Sequence, residues 1–231
     1  MGRLSAAVQA FLKSRFFYPL VLAGCLYPGV HLVWSSLAVL VPQWPDWFPN
    51  GLLPWQYDLG VDPAKEMLHL AGRDALGLLL ITLAVTPIRR LTGWNRVQTV
   101  RRTLGVSSFF YALAHFLIYV VFNELGDIHN ILQDVFTRKF IFVGMFAFTI
   151  LLALAVTSTK GMMRRLGRNW TRLHRLVYVA AVAGVVHFAW GQKADIHEPL
   201  EWGAFLAALL LVRVVLAIQA RRVRGMRTVT P

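Results

Sequence analysis

The sequence predicts an all-α, polytopic membrane protein, a bundle of six transmembrane helices with both termini in the cytoplasm. The first observation is composition: 57% of the 231 residues are apolar, against about 45–50% in soluble domains. The second is six apolar runs of about 20 residues, the length needed to cross about 30 Å of hydrocarbon. They cover residues 16–41, 67–86, 103–123, 139–157, 173–191 and 200–219.

The basic residues predict the orientation. The N-terminus and residues 86–103, 158–175 and 220–231 together hold 18 Lys/Arg and no Asp or Glu, whereas the alternate loops hold four Lys/Arg. Because short loops rich in Lys/Arg stay in the cytoplasm, the first set lies inside. The net charge of +13 then reflects inner loops, and no nucleic-acid binding is expected.

The loops indicate a single membrane domain over residues 1–231, since no linker to a second domain stands out. The first outer loop, 41–66, holds three tryptophans among prolines, which is typical of the headgroup layer and would also suit a surface for a partner. The sole cysteine, Cys25, rules out an intramolecular disulfide and a c-type haem attachment. A membrane-buried thiol is expected there.

Two histidines in different spans are predicted to lie at the same depth in the membrane. Imidazole is costly in hydrocarbon, so an intramembrane histidine is a functional hypothesis. His115 lies about 20 Å of helix from Arg102, and His187 about 18 Å from Arg175. Both helices run from inside to outside, which places both imidazoles in the outer half of the bilayer. We predict that His115 and His187 are the axial ligands of one haem iron; hydrogen-bonded core histidines are the alternative.

A third histidine, His174, lies about 19.5 Å below His187 along the same helix. At its depth the third span offers Arg101 and Arg102 but no histidine. His174 is therefore a candidate ligand of a second, inner haem whose sixth ligand is unidentified. Hydrogen bonding at the helix end, or contact with a cytoplasmic cofactor, is the alternative.

The second span begins with another polar group. His69 and Arg73 are four residues apart and so share a helix face, at the level of the paired histidines. We expect Arg73 to contact a haem propionate or a quinone headgroup, or to pair with Asp74; His69 is a further candidate ligand. Arg213, near the inner end of the last span, is expected to snorkel, and His31 to be hydrogen bonded within the bundle.

Three segments carry a family resemblance: HLAGRDALGLLLITLAVTPIRR, RRTLGVSSFFYALAHFLIYVVFNELG and TSTKGMMRRLGRNWTRLHRLVYVAAVAGVVHFAW. They resemble the ferric-reductase-like transmembrane family, and within it the haem-binding membrane subunits of bacterial periplasmic methionine-sulfoxide reductase systems. Carried over by position, His115, His174 and His187 fall on the haem-associated histidines of that family.

The resemblance implies a function as well as a fold. It implies an electron-transfer subunit of the bacterial inner membrane, with haem b and FMN. The subunit would take electrons from membrane quinol, or from a cytosolic flavin reductase, and pass them to a periplasmic molybdopterin reductase subunit in a heterodimer. The sequence has no recognisable flavin-phosphate motif, so no FMN-binding residue is predicted.

Two other functions remain open at this level. One is a membrane ferric-chelate or oxygen reductase that uses an external flavin reductase. A self-contained NADPH-driven enzyme is disfavoured, because relatives of that type carry two histidines on the third span and a C-terminal FAD/NADPH domain, and both features are missing here. The other is a non-haem metal transporter or assembly factor. No acidic residue accompanies His115 and His187 at their depth, which argues against metal transport.

Overall fold

The computed structural model describes residues 2–40, 62–192 and 196–227, and these residues fold almost entirely into helices. The predicted outer loop up to residue 61 and the side chain of His31 lie outside the described residues. In chain order the helices are α1 (Gly2–Lys13), α2 (Phe17–Leu40), α3 (Pro63–Thr92), α4 (Arg101–Ile118), α5 (Ile128–Thr137), α6 (Lys139–Val156), α7 (Lys160–Leu166), α8 (Arg168–Leu173), α9 (Val177–Gly191) and α10 (His197–Arg227).

Short turns of other helical types join some of these helices. A 3₁₀ segment, Asn95–Val100, leads into α4, and His174–Leu176 links α8 to α9. Tyr119–Asn123 extends α4 by one π-helical turn. π turns inside longer helices are rare and frequently occur at functional sites.

The membrane prediction is confirmed. By length and composition, five helical stretches can cross a membrane, and a shorter apolar helix is found within α2 at Phe17–Val30. The five are Pro63–Thr92, Asn95–Asn123, Lys139–Val156, Arg168–Gly191 and His197–Ala220. They correspond to the last five predicted spans, and α2 corresponds to the first.

Helix α3 is longer than the predicted 67–86 because both of its ends are capped. The side chain of Asp62 accepts a hydrogen bond from the backbone N–H of Lys65 at 3.2 Å, and proline occupies the first helical position. Both features favour helix initiation. The helix ends at Gly93, whose φ of 74° is the left-handed conformation that suits glycine.

The amphipathic helix α5 was not predicted. It is only ten residues long and lies between two strongly apolar spans. A hydropathy average over a longer window therefore mixes its alternation of apolar and polar residues with the apolar residues on either side. The carboxylate of Asp127 caps it by accepting from the backbone N–H groups of His129 and Asn130. The helix packs against α6 at the end of the bundle that is predicted to face outward.

The bundle is built around two helix pairs, α3 with α4 and α6 with α9. Side-chain hydroxyls hydrogen bond to backbone carbonyls of neighbouring helices: Ser108 donates to Ala75 at 2.7 Å, and Tyr111 to Cys25 at 2.7 Å. Such bonds, with small residues at the interfaces, are how membrane helices associate. Cys25 is buried, as expected for an inert thiol.

Arg213 does not snorkel, so that prediction is wrong. Its guanidinium donates to the backbone carbonyl of Leu83 at 2.6 Å and to the hydroxyl of Tyr178. Inside a helix the carbonyl of Leu83 would accept from the residue four positions later, which is Pro87. Proline has no N–H to donate. Arg213 from α10 therefore satisfies the carbonyl that Pro87 leaves without a partner.

Candidate functional site

A cavity of about 310 Å³ lies between α3, α4, α6 and α9. Its walls are mostly apolar and are formed by side chains such as Leu76, Leu79, Phe148 and Leu151. Its polar groups are concentrated at the end predicted to face outward. An apolar space with a few convergent polar groups is the usual form of a cofactor site.

The structure brings the two predicted histidines together in this cavity. The ring centroids of His115 and His187 lie 6.0 Å apart, and the ring planes make an angle of 87°. Metal–imidazole bonds are about 2 Å long, so one metal ion between two imidazoles separates their centroids by roughly 6 Å. The spacing is that of a pair able to hold one metal centre from opposite sides.

Hydrogen bonds determine which nitrogen of each imidazole is available. The Nδ1 atom of His115 lies 2.8 Å from the carbonyl oxygen of Leu68, and Nδ1 of His187 lies 2.7 Å from that of Phe140. A carbonyl can only accept, so each Nδ1 carries the proton and donates. In a neutral imidazole the other nitrogen, Nε2, then has a lone pair. A second hydrogen bond of this kind orients metal-binding histidines in proteins.

The outer mouth of the cavity carries two arginines. Arg73 lines the mouth and forms an ion pair with Glu198 of α10 at 3.6 Å. The partner suggested from the sequence, Asp74, lies on α3 next to Arg73 itself. Arg138, which the sequence analysis missed, also lines the mouth, and its Nε lies 2.9 Å from the carboxylate of Asp134. His69 lines the same mouth.

The π turn contributes to this mouth. Tyr119, its first residue, lines the cavity and donates a hydrogen bond to Asp134 at 2.9 Å. Asp134 is buried although it belongs to the amphipathic helix α5. Tyr119 and Arg138 therefore attach α5 to the cavity through one carboxylate. The spacing of Asp134 and Arg138, four residues apart, is a local signal of their ion pair, whereas the contact with Tyr119 depends on how α5 packs.

His174 is not among the residues that line this cavity. Its ring stacks on Trp170 with centroids 4.0 Å apart, and its Nε2 lies 3.1 Å from the hydroxyl of Thr157. That hydroxyl also lies 2.7 Å from the carbonyl oxygen of Ala153, so Thr157 connects the imidazole to the backbone of α6. Ligation of a second haem by His174 stays a prediction.

Together, the fold and the site define a polytopic helical membrane protein with two apposed histidines in an apolar cavity. Residues 71–185 match the family model "Ferric reductase like transmembrane component". The match spans all of α4 and α6 and most of α3 and α9.

Close relatives narrow the class. The chain is 43% identical over 192 residues to the "Protein-methionine-sulfoxide reductase heme-binding subunit MsrQ" of Xanthomonas axonopodis pv. citri (strain 306), covering 79% of this chain and 88% of the relative. It is 45% identical over 166 residues to the protein of the same name from Herminiimonas arsenicoxydans, covering 71% and 76%. The chain belongs to the MsrQ family of ferric-reductase-like membrane proteins.

Proposed function

We propose that this chain is the haem-binding, electron-transferring membrane subunit of a protein-methionine-sulfoxide reductase in the bacterial inner membrane. In this proposal it passes electrons from membrane quinol to a periplasmic molybdopterin subunit, with which it forms a heterodimer, and so supports the repair of oxidised periplasmic proteins. The names of the relatives support the system, and the cavity provides the residues that would hold the haem.

The proposal rests on one observation: both imidazoles carry their proton on the same nitrogen, Nδ1. Each of His115 and His187 donates its Nδ1 proton to a carbonyl, which leaves Nε2 as the donor atom for a metal. Two neutral imidazoles on different helices are the ligands that b-type haem takes in helical bundles. The residues present therefore fit a single haem b held between α4 and α9.

The rest of the cavity fits the same group. A porphyrin needs apolar walls, which α3 and α6 provide through Leu76 and Phe148. Its two propionates need cations, and Arg73 and Arg138 are both at the outer mouth. His69, next to Arg73, would contact either a propionate or a quinol headgroup there.

Ligation by two histidines determines the kind of chemistry. Haem would supply a one-electron redox centre there, and with His115 and His187 both binding its iron it would favour electron transfer over oxygen binding. The chain itself holds the imidazoles in one tautomer, surrounds them with apolar side chains and provides positive charge at the outer edge. These properties favour an electron conduit over a ferric-chelate or oxygen reductase.

The test is the spectrum and cofactor content of the purified full-length protein. We expect low-spin b-type bands in the reduced-minus-oxidised spectrum, and we expect His115→Ala and His187→Ala each to abolish them. Flavin is measured in the same samples, since FMN is implied by the resemblance alone. One haem per chain assigns the site to His115 and His187, and two per chain would support a second site at His174.

The matched control is His129→Ala, which removes an exposed histidine from α5 outside the cavity. It should keep the bands of the wild-type protein. A colourless wild-type protein, or unchanged bands in both cavity variants, would overturn the assignment. Reduction of the haem by added quinol supports the proposed donor, whereas oxidation of NADPH by the protein alone would favour a self-contained reductase.

A further inference from the structure

The two helix pairs that form the cavity repeat the same local arrangement. In α3–α4, Nδ1 of His115 donates to the carbonyl of Leu68; in α6–α9, Nδ1 of His187 donates to the carbonyl of Phe140. The donor follows the acceptor by 47 residues in both cases. Each pair thus presents one imidazole that is held by the backbone of the neighbouring helix.

A glycine lies one helical turn after each accepting carbonyl. A Cβ added to Gly72 would lie 3.0 Å from Nδ1 and 3.1 Å from Cε1 of His115. A Cβ added to Gly144 would lie 2.6 Å and 2.8 Å from the same atoms of His187. Uncrowded carbon contacts are about 3.5–4.0 Å, so neither position admits a larger residue while the ring stays in place.

The glycines make room for the rings and not for a neighbouring helix. In both cases the three heavy atoms nearest to the added Cβ all belong to the imidazole. Gly29 and Gly77 also face single aromatic side chains, Tyr111 at 2.9 Å and Trp202 at 3.3 Å, but neither of these is an imidazole. At Gly184 the nearest atom is Cδ1 of Leu76 at 3.5 Å, and at Gly105 it is Cγ2 of Thr82 at 3.5 Å. These are ordinary packing contacts, and they provide the comparison for the test.

We propose that Gly72 and Gly144, with the carbonyls of Leu68 and Phe140, are positioning residues that hold the two haem-binding imidazoles nearly perpendicular to each other. The carbonyl sets the direction of Nδ1, and the absence of a Cβ lets the ring lie against the helix backbone. Because each ring is oriented by a different helix pair, the angle of 87° between their planes follows from how the two pairs pack. This inference rests on the proposed haem at His115 and His187.

The angle has a spectroscopic consequence. In low-spin ferric haem with two imidazole ligands, perpendicular ligand planes bring the iron d orbitals close to degeneracy, and the EPR signal becomes highly anisotropic. Parallel planes separate those orbitals and give a rhombic signal with a smaller gmax. The wild-type protein should therefore give the large-gmax signal of perpendicular imidazoles.

The experiment compares Gly144→Ala, Gly72→Ala and the control Gly105→Ala, which lies outside the cavity lining, in full-length, purified protein. We expect Gly144→Ala to retain haem on the order of tenfold less well, as is typical when the support of a metal-binding histidine is disturbed. Gly72→Ala, where the approach is less close, should keep more haem but show a shifted gmax and a shifted midpoint potential. Gly105→Ala should match the wild-type protein in all three measurements.

The outcomes separate the two proposals. A wild-type gmax and midpoint potential in both Gly72→Ala and Gly144→Ala would overturn the positioning role, as would a rhombic signal in the wild-type protein. If Gly144→Ala does not yield folded protein, the EPR signal of Gly72→Ala decides the question. Loss of the low-spin bands in the cavity-histidine variants, together with unchanged glycine variants, would leave the haem assignment standing and remove only this inference.

Discussion

The outer and inner halves of the bundle treat their buried polar groups in opposite ways. In the outer half, His115 and His187 each use one nitrogen to hold a carbonyl and present the other to a cavity. In the inner half, His174 is hydrogen bonded to Thr157, and Arg213 donates to Leu83 and Tyr178. The outer histidines face a space that can hold a ligand, whereas the inner groups hydrogen bond to other residues of the protein.

The difference shows why an intramembrane polar residue is an incomplete signal of function. His174 and Arg213 hydrogen bond to partners within the protein, one a hydroxyl and the other a carbonyl left without its usual donor, and neither residue lines the cavity. His115 and His187 each have one nitrogen bonded to a carbonyl, but their rings line the cavity. Inner variants should therefore reduce stability and leave the outer haem unchanged, whereas outer variants should do the reverse.

The largest effect on stability is expected for Arg213→Met. It leaves the carbonyl of Leu83 without a partner beside Pro87, and an unsatisfied buried carbonyl costs about 1–3 kcal/mol. Denaturation of the purified protein in detergent should show a loss of this size, with the low-spin haem bands preserved. Loss of those bands in folded Arg213→Met protein would break the division between the two halves.

The cause can be isolated with Pro87→Ala, which restores a backbone N–H to α3. In that background the carbonyl of Leu83 has a helical donor, so Arg213→Met should cost less than in the wild-type protein. A double-mutant cycle measures the coupling, which should be about 1 kcal/mol. Additive effects of the two substitutions would contradict the pairing of Arg213 with the proline-interrupted carbonyl.

An intermediate effect, on the haem and not on stability, is expected at the outer mouth. Removing a positive charge near a redox centre favours its oxidised form, so Arg73→Gln and Arg138→Gln should each lower the midpoint potential by an amount on the order of tens of millivolts. Redox titration of the low-spin bands measures this. Lys139→Gln removes the same charge next to Arg138 but from outside the cavity, and it should change the potential less.

The smallest effect is expected for Thr157→Val. It removes the hydroxyl that is hydrogen bonded to Nε2 of His174, and a single hydrogen bond contributes about 1 kcal/mol. Thermal unfolding should show a modest loss of stability, and the EPR signal assigned to His115 and His187 should not change. A change in that signal would show that the inner hydrogen bond affects the outer histidines and would contradict the independence of the two halves.

Much of the architecture could be predicted from local sequence. The apolar runs mark the spans because a membrane helix must be long and apolar whatever it packs against. Counting residues from the basic helix ends was enough to place His115 and His187 at one depth, since rise per residue is constant in a helix. The short amphipathic helix α5 was not predicted because it has only ten residues and lies between two long apolar spans, in a segment predicted to be a loop.

The contacts between helices could not be read from the sequence. Nothing near Gly72 or Gly144 indicates that each faces an imidazole about forty residues away, and nothing near Arg138 indicates that α5 brings it to the cavity. Arg213 was misjudged for the same reason: its distance from the inner end suggested snorkelling, while its partner is a carbonyl of α3 that only helix packing brings within reach.

By itself the sequence determined the membrane class, the spans and the depth of the polar residues, because these depend on hydropathy and on the geometry of single helices. Tertiary structure decided which nitrogen of each histidine is presented, which arginine is structural and which lines the cavity. Those outcomes depend on hydrogen bonds between helices distant in the chain. A histidine becomes a candidate ligand here when packing satisfies one of its nitrogens and leaves the other facing an apolar space.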